Sequence, residues 1–359
     1  MKKVYLKAYL ENNLGDDLFV YIFDKRYKTK NIIFSNNKVT SQIGNTKVLS
    51  NSLLTNFNKF LKAITFKNLC IENILKRNCD LLVHIGGSIF IEKNEDDLEM
   101  WKKCFNWYYK KPQIPYYIIG CNFGPYKSKK FVNLIEQNAI KNAEDVCFRD
   151  NKSYEIFKNN NNVRKAADIV FSLDVSPYKK QKNKNVIFSV INLSNRKDIS
   201  NKKNIYENKI IEMIKHYENQ GYSITLMSFC KKEGDEETIK SILNQYSSPN
   251  IDTYFYDGNI EEALQKIADC DIIIGSRFHA NILGILFEKD IIPIAYSDKI
   301  INTLSDMNFK EDIIDIRKID NFDVNTLKKR KNKYSCDLNF YKKNAERHFE
   351  KLDKVLERR

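Results

Sequence analysis

Glycine and proline are scarce in this chain, 11 and 6 of its 359 residues, which excludes collagen-like and low-complexity readings. It also lacks an apolar run long enough to cross a membrane. The longest apolar region, from Ile272 to Tyr296, is interrupted by Arg277, His279, Glu288, Lys289 and Asp290, and such charges bar a spanning helix. The 8 cysteines (70, 79, 104, 121, 147, 230, 270 and 336) form no CxxC pair and no metal-ligand spacing. Several lie beside apolar residues, where a reduced thiol acts as a small buried hydrophobe. The opening MKKVYLKAYLENN has too short an apolar stretch for a secretory signal and reads as a first strand. Together these lead us to expect a soluble protein in a reducing, cytoplasmic compartment. No P-loop, HExxH, G-x-S-x-G elbow or zinc-type Cys/His cluster occurs. The chemistry expected is therefore transfer without a metal or bound cofactor.

Hydrophobic residues make up 42% and aromatics 12%, enough for sizeable cores and against a mainly disordered chain. A chain of this length usually divides into two domains. Lys plus Arg is 60 against 46 for Asp plus Glu, a formal charge of +14. That surplus favours anionic partners: phosphorylated substrates, nucleic acid or an anionic membrane surface. Most of it is lysine scattered among asparagines, and basic runs such as Lys328–Lys333 fall in tails and linkers. A nucleic-acid binder would cluster its basic residues with stacking aromatics on one face, so no nucleic-acid partner is expected.

Short β-branched and aromatic runs alternate with helix-period segments, the pattern of βα units around a parallel sheet. Strands are expected at Val4–Leu10, Asn31–Phe34, Leu81–Ile85, Tyr116–Ile119 and Val146–Arg149. They recur at Val186–Ile191, Ser223–Ser228, Thr253–Tyr256, Asp271–Ile274 and Ile291–Ala295. The polar, basic stretch Ser176–Lys184 after the first series is the linker candidate. The expected fold is α/β, with two Rossmann-like domains at 1–176 and 185–322 and a charged, solvated helix over 323–359, with packing across both domains as its alternative. Ligands of such sheets bind at the carboxyl ends of the strands, and a cleft lined by Asn13–Asp17, Gly86–Ser88, Asn122 and Arg277–His279 is expected.

The most informative segment is Asp269–Gly284. An apolar strand ends at Gly275, Ser276 is a good N-cap, and Phe278, Ile282, Ile285 and Leu286 have helical spacing. Arg277 and His279 then fall in a first helical turn, where free amides and the helix dipole favour an anion and an arginine adds a bidentate fork. The alternative pairs Arg277 with Asp269 or Asp271 and makes His279 a core residue. In Asn12–Asp17, Gly15 permits a sharp turn or a close approach. Asp16 and Asp17 open the next helix, where ordinary capping is the competing account. Gly86-Gly87-Ser88 ends an apolar strand without forming a dinucleotide fingerprint, and His84 before it reads as core. In Gly120–Pro125, Asn122 can hydrogen-bond a sugar hydroxyl. Arg149 stands at a strand end, with a bridge to Asp150 or another carboxylate as its alternative. Lys299 follows the last strong strand, where a surface lysine is the default.

In this order the segments resemble the polysaccharide pyruvyl transferase family. The matching elements are N-x-G-D at Asn13–Asp16, the GG strand end at Gly86–Ser88, and G-x-x-x-GP at Gly120–Pro125. They continue with R-D-x-x-S at Arg149, Asp150 and Ser153, and D-I-x-F at Asp168, Ile169 and Phe171. The last are R-x-H at Arg277 and His279, then P-x-x-Y-x-x-K at Pro293, Tyr296 and Lys299. The family often has a third glycine at Ser88 and Gln-Ser-type residues at Cys121-Asn122.

The resemblance implies a GT-B-like pair of domains. It also implies transfer of the pyruvyl group of phosphoenolpyruvate, as co-substrate, to a hexose of exopolysaccharide, capsule or a lipid-linked precursor, giving a cyclic ketal and phosphate. Donor binding is then expected from Arg277, Lys299, Arg149 and Ser276, and acceptor binding from Asn13, Gly15, Asp17, Gly87, Ser88 and Asn122. His279 is the expected acid, Arg277 an electrostatic partner and Asp16 a base or hydroxyl-orienting group. Peripheral contact with the inner face of the membrane is compatible with such an acceptor. The competing functions are a GT-B glycosyltransferase using a sugar nucleotide and, from another class, the basic nucleic-acid binder.

Overall fold

The computed structural model describes residues 1–35, 39, 42–50, 56, 71–94, 96–108, 114–181, 184–194, 196, 198–307, 309, 313–327 and 337–359. Two compact units emerge: residues 1–11, 16–173 and 340–359 form one, and residues 12–15 and 174–339 form the other. The boundaries differ from the expected 1–176, 185–322 and 323–359 in two ways. Residues 12–15 belong with the second unit, and residues 340–359 are part of the first. Residues 182 and 183 of the linker candidate, and the Lys328–Lys333 run, lie outside the described residues.

The first unit contains β1 (Lys3–Lys7), β2 (Lys30–Phe34), β3 (Gln42–Ile43), β4 (Thr46–Leu49), β5 (Leu81–Ile85), β6 (Ser88–Phe90), β7 (Tyr116–Phe123), β8 (Asp145–Phe148) and β9 (Val163–Lys165). Their order is β3-β4-β2-β1-β5-β7-β8-β9, with β6 beside β7. Every pairing is parallel except β3 with β4. β5 and β7 are buried along their whole length, which is why they read as unbroken apolar runs. Phe123 anchors the core on one face, stacked on Phe131 at 5.6 Å and edge-on to Phe157 at 4.9 Å.

Residues 340–359 of the tail pack into the first unit. Ala345, Phe349, Leu352 and Leu356, spaced four, three and four apart, are buried, and that spacing forms an apolar stripe among charged neighbours. Arg26 holds Asp353 through two hydrogen bonds of 3.0 and 2.8 Å and Glu346 at 2.7 Å. His348 is fully buried. Its Nδ1 accepts the Gly120 amide at 3.3 Å, and its Nε2 lies 2.7 Å from the Ala167 carbonyl. Those partners fix a neutral ring protonated at Nε2, and burial lowers its pKa to about 4.

In the second unit β10 (Asn185–Ser189), β11 (Ser223–Ser228), β12 (Ile251–Phe255), β13 (Ile272–Gly275), β14 (Asp290–Ala295) and β15 (Ile314–Asp315) lie in the order β12-β11-β10-β13-β14-β15. All are parallel. Val186, Phe188, Ile224, Leu226, Ile272 and Ile274 pack against Tyr206, Ile210 and Ile214 of the Lys203–Glu218 helix. Because β11, β10 and β13 are adjacent and parallel, the segments leaving their carboxyl ends emerge along one edge. The candidate site residues of this unit gather there.

Candidate active site

At the end of β13 the helix begins at Phe278, and Arg277 itself occupies the cap position in an extended conformation with no side-chain cap bond. Ser276 is therefore not the cap; its buried hydroxyl lies 2.8 Å from the Tyr206 hydroxyl, and its amide donates to Ser189. The partners of Arg277 are neither Asp269 nor Asp271. Its Nε donates to Asp235 Oδ2 at 3.0 Å, a second N–H of the same edge takes Asp235 Oδ1, and the third nitrogen takes Glu233 Oε2. Asp271 pairs with Lys180, and Asp269 accepts from the Gln181 amide and Gln265.

Asp235 opens the Asp235–Gln245 helix beyond β11 and accepts the amides of Phe229 and Cys230 at 3.0 and 2.9 Å. Burial alone would lower the Arg277 pKa, but Asp235 and Glu233 outweigh it and raise the value, so the guanidinium stays charged. Burial raises the Asp235 carboxyl against the opposing pull of Arg277.

The N-x-G-D segment meets this cluster. Leu14 donates its amide to the Phe229 carbonyl at 3.0 Å, and Asn13 forms a bridge with Cys230. Asn13 Oδ1 accepts the Gly15 amide at 3.1 Å while its Nδ2 faces Glu233 Oε1 at 3.5 Å. Gly15 has no left-handed φ; what it provides is space. A Cβ there would lie 2.0 Å from His279 Nδ1 and under 3.0 Å from two ring carbons. The His279 imidazole, partly exposed, thus sits directly on the Gly15 backbone, with Phe278 edge-on at 5.0 Å.

Two further side chains went unnoticed in the sequence. Arg196 stacks on Tyr296 at 4.1 Å and reaches Glu233 at 3.6 Å. Asn281, one turn after Arg277, donates to the carbonyls of Gly275 and Arg277 at 2.9 and 3.2 Å. An asparagine inside the apolar stretch Phe278–Leu286 was the available signal for the second; no spacing rule points to the first. Lys299 lies in the first turn of the Asp298–Asp306 helix, and its side chain is outside the described residues.

In the first unit four motifs converge on Arg149, which is buried beside Phe19. One terminal nitrogen donates to Asp168 at 2.7 Å and the other to Asn122 Oδ1 at 2.9 Å. Asp150, the partner considered from sequence, instead caps the Asn151–Phe157 helix through the Ser153 amide. Ser88 Oγ donates to Asn122 Oδ1 at 3.1 Å, and a Cβ on Gly87 would lie 2.8 Å from Arg149. Gly120 adopts φ +73°, outside the range comfortable for other residues, where the β7–β8 register shifts. Asp16 and Asp17 stand in the first turn of the Leu14–Arg26 helix, Asp17 buried. His84 is buried in β5, and burial drives its pKa well below the usual value.

Among solved structures, the chain is similar to UDP-GlcNAc 2-epimerase of Methanocaldococcus jannaschii in complex with UDP-GlcNAc and UDP, at a TM-score of 0.50 and 12% identity over 98% of this chain and 99% of that one. It is also similar to UDP-GlcNAc 2-epimerase of Neisseria meningitidis bound to UDP-GlcNAc, at 0.47 and 11% over 88% of each chain. E. coli ADP-heptose LPS heptosyltransferase II matches at 0.35 and 10%, over 82% and 84%. At such identities the likeness concerns the fold alone, and the match at 0.50 agrees with the mostly parallel α/β sheets described above. A family model described as polysaccharide pyruvyl transferase matches residues 9–298, a span that holds Asn13, Gly15, Gly87, Asn122, Arg149, Asp168, Arg277 and His279. By that match over most of its length, the chain belongs to the polysaccharide pyruvyl transferase family.

Proposed function

We propose that this transferase moves the pyruvyl group of phosphoenolpyruvate to a hexose of a surface glycan, or of its lipid-linked precursor, as a cyclic ketal. The observation that carries the reading is the His279 ring seated on Gly15, two residues from the charged Arg277. It joins the first and last motifs of the chain around one titratable group.

Phosphoenolpyruvate brings a phosphate and a carboxylate, and the proposed cationic contacts are Arg277, Lys299 and Arg149. His279, in its protonated form, delivers a proton to the methylene carbon, leaving cationic character at the central carbon. A sugar hydroxyl attacks that carbon and loses its proton to a base, for which Asp16 is proposed. A second hydroxyl then displaces inorganic phosphate and closes the ketal. Asn13, Asp17, Gly87, Ser88 and Asn122 are the proposed acceptor side.

The test is incubation with phosphoenolpyruvate and a panel of hexosides and lipid-linked glycans, reading phosphate release and the pyruvyl adduct by mass spectrometry. Adduct and phosphate in equal amounts support the proposal. Absence of both, with UDP or GDP raising the melting temperature in place of phosphoenolpyruvate, replaces it with sugar-nucleotide transfer.

A further inference from the structure

Arg277 has two acidic partners held in different ways. Asp235 is buried, grips one edge of the guanidinium with both oxygens, and is itself fixed by two backbone amides. Glu233 ends the short turn Lys231–Glu233, before Gly234 at φ +85°, and its side chain keeps 35% of its exposure. It also meets Arg196 at 3.6 Å and Asn13 at 3.5 Å.

Arg196 is anchored without it, by its stack on Tyr296 at 4.1 Å. Its buried Nε has no hydrogen-bond partner among the described residues, an unmet donor that ordinarily costs stability. Two arginines therefore converge on one partly exposed carboxylate. Both keep their orientation if that carboxylate leaves, one through Asp235 and the other through Tyr296.

We propose that Glu233 is a displaceable internal anion, and that its place between Arg277 and Arg196 is an oxyanion subsite filled by an acidic group of the donor. This rests on the phosphoenolpyruvate reading. The charges support the exchange. Arg277 and Arg196 are balanced by Asp235 and Glu233, so withdrawal of Glu233 leaves one net positive charge facing the incoming oxyanion. A phosphate, with three acceptor oxygens, can also meet the Arg196 N–H that Glu233 leaves unmet. Arg196 then becomes a donor-binding residue, and Glu233 sets a threshold that only a strong oxyanion passes.

The test measures binding of phosphoenolpyruvate and of inorganic phosphate to the full chain by calorimetry, for wild type, Glu233→Gln, Glu233→Ser and Arg196→Gln. Removing the competing charge is expected to tighten binding of both anions by about tenfold, the equivalent of one charge-assisted hydrogen bond. Arg196→Gln is expected to weaken it by a similar factor. Glu233 variants that bind no more tightly than wild type, or that both fail to fold, overturn the subsite.

The two ideas fail separately. A wild type that performs pyruvyl transfer while Glu233→Gln gains nothing keeps the function and loses the subsite. A wild type without transfer whose Glu233→Gln variant gains phosphate affinity keeps the oxyanion subsite and loses the pyruvyl donor.

Discussion

Gly15→Ala separates two accounts of the N-x-G-D segment by the sign of its effect. Gly15 is the second residue of the Leu14–Arg26 helix and has no left-handed φ. If its only role were local, alanine would restrict the unfolded chain and stabilise the protein by about 0.4–1 kcal/mol. The geometry demands the opposite. The new Cβ would sit 2.0 Å from His279 Nδ1, 2.8 Å from Cγ and 2.9 Å from Cε1. The obstacle is the ring itself, so the imidazole must retreat by more than 1 Å to reach an ordinary ~3.5 Å contact. Overpacking of this kind costs about 1–3 kcal/mol, a fall in melting temperature of roughly 2–12 °C for a unit of this size. If His279 is the proton donor proposed above, a displacement near 1 Å costs on the order of 10²-fold in rate. Thermal melts and turnover on one preparation measure both. A double-mutant cycle with His279→Ala isolates the contact: with the ring gone, the alanine should no longer destabilise. A Gly15→Ala protein at least as stable as wild type, with wild-type turnover, would refute the argument.

Three other outcomes follow from the same geometry. His279→Asn should fold normally, bind phosphoenolpyruvate within several-fold of wild type and lose about 10²- to 10⁴-fold in turnover; a lower melting temperature with activity proportional to folded protein would make His279 structural. Asp235→Asn leaves Glu233 as the charged partner of buried Arg277 and should cost about 1–3 kcal/mol in urea denaturation, whereas unchanged stability would show that the pair contributes little. His348 has its folded pKa lowered to about 4 by burial, so its stabilisation is complete above the unfolded value near 6.5, declines as pH falls through that window and is gone below 4. Denaturation midpoints between pH 7 and 4 should fall less steeply for His348→Gln than for wild type, and parallel slopes would exclude His348 as the group responsible.

The strands that positioned both sites were legible because burial on both faces makes a parallel strand an apolar run. Leu81–Ile85 and Ser223–Ser228 coincide with the expected spans, and most others lie within a few residues. The strands that escaped are β3, β4, β6, β9 and β15, with two to four residues each, too short to display a period. Arg277 and His279 were visible as residues but their company was not. Asp235 is 42 positions away from Arg277 and meets it only because β11, β10 and β13 are neighbours. In sequence, Glu233-Gly-Asp235 looks like the ordinary acidic opening of a helix. The packing of the tail was hard to read for a related reason, since its charged residues outnumber the four apolar ones that decide where it packs.

The return of residues 340–359 to the first unit has a consequence for synthesis. Its sheet leaves the ribosome early, yet the Gly120 amide, the Ala167 carbonyl and the guanidinium of Arg26 find their partners in His348, Asp353 and Glu346, which are made after the whole of the second unit. At roughly 5–20 residues per second the nascent sheet waits about ten seconds or longer with those groups unmatched, while nearly all of the second unit is contiguous and can close first. The order of completion is then the reverse of the order of emergence, and the half that begins the chain is the half that finishes last.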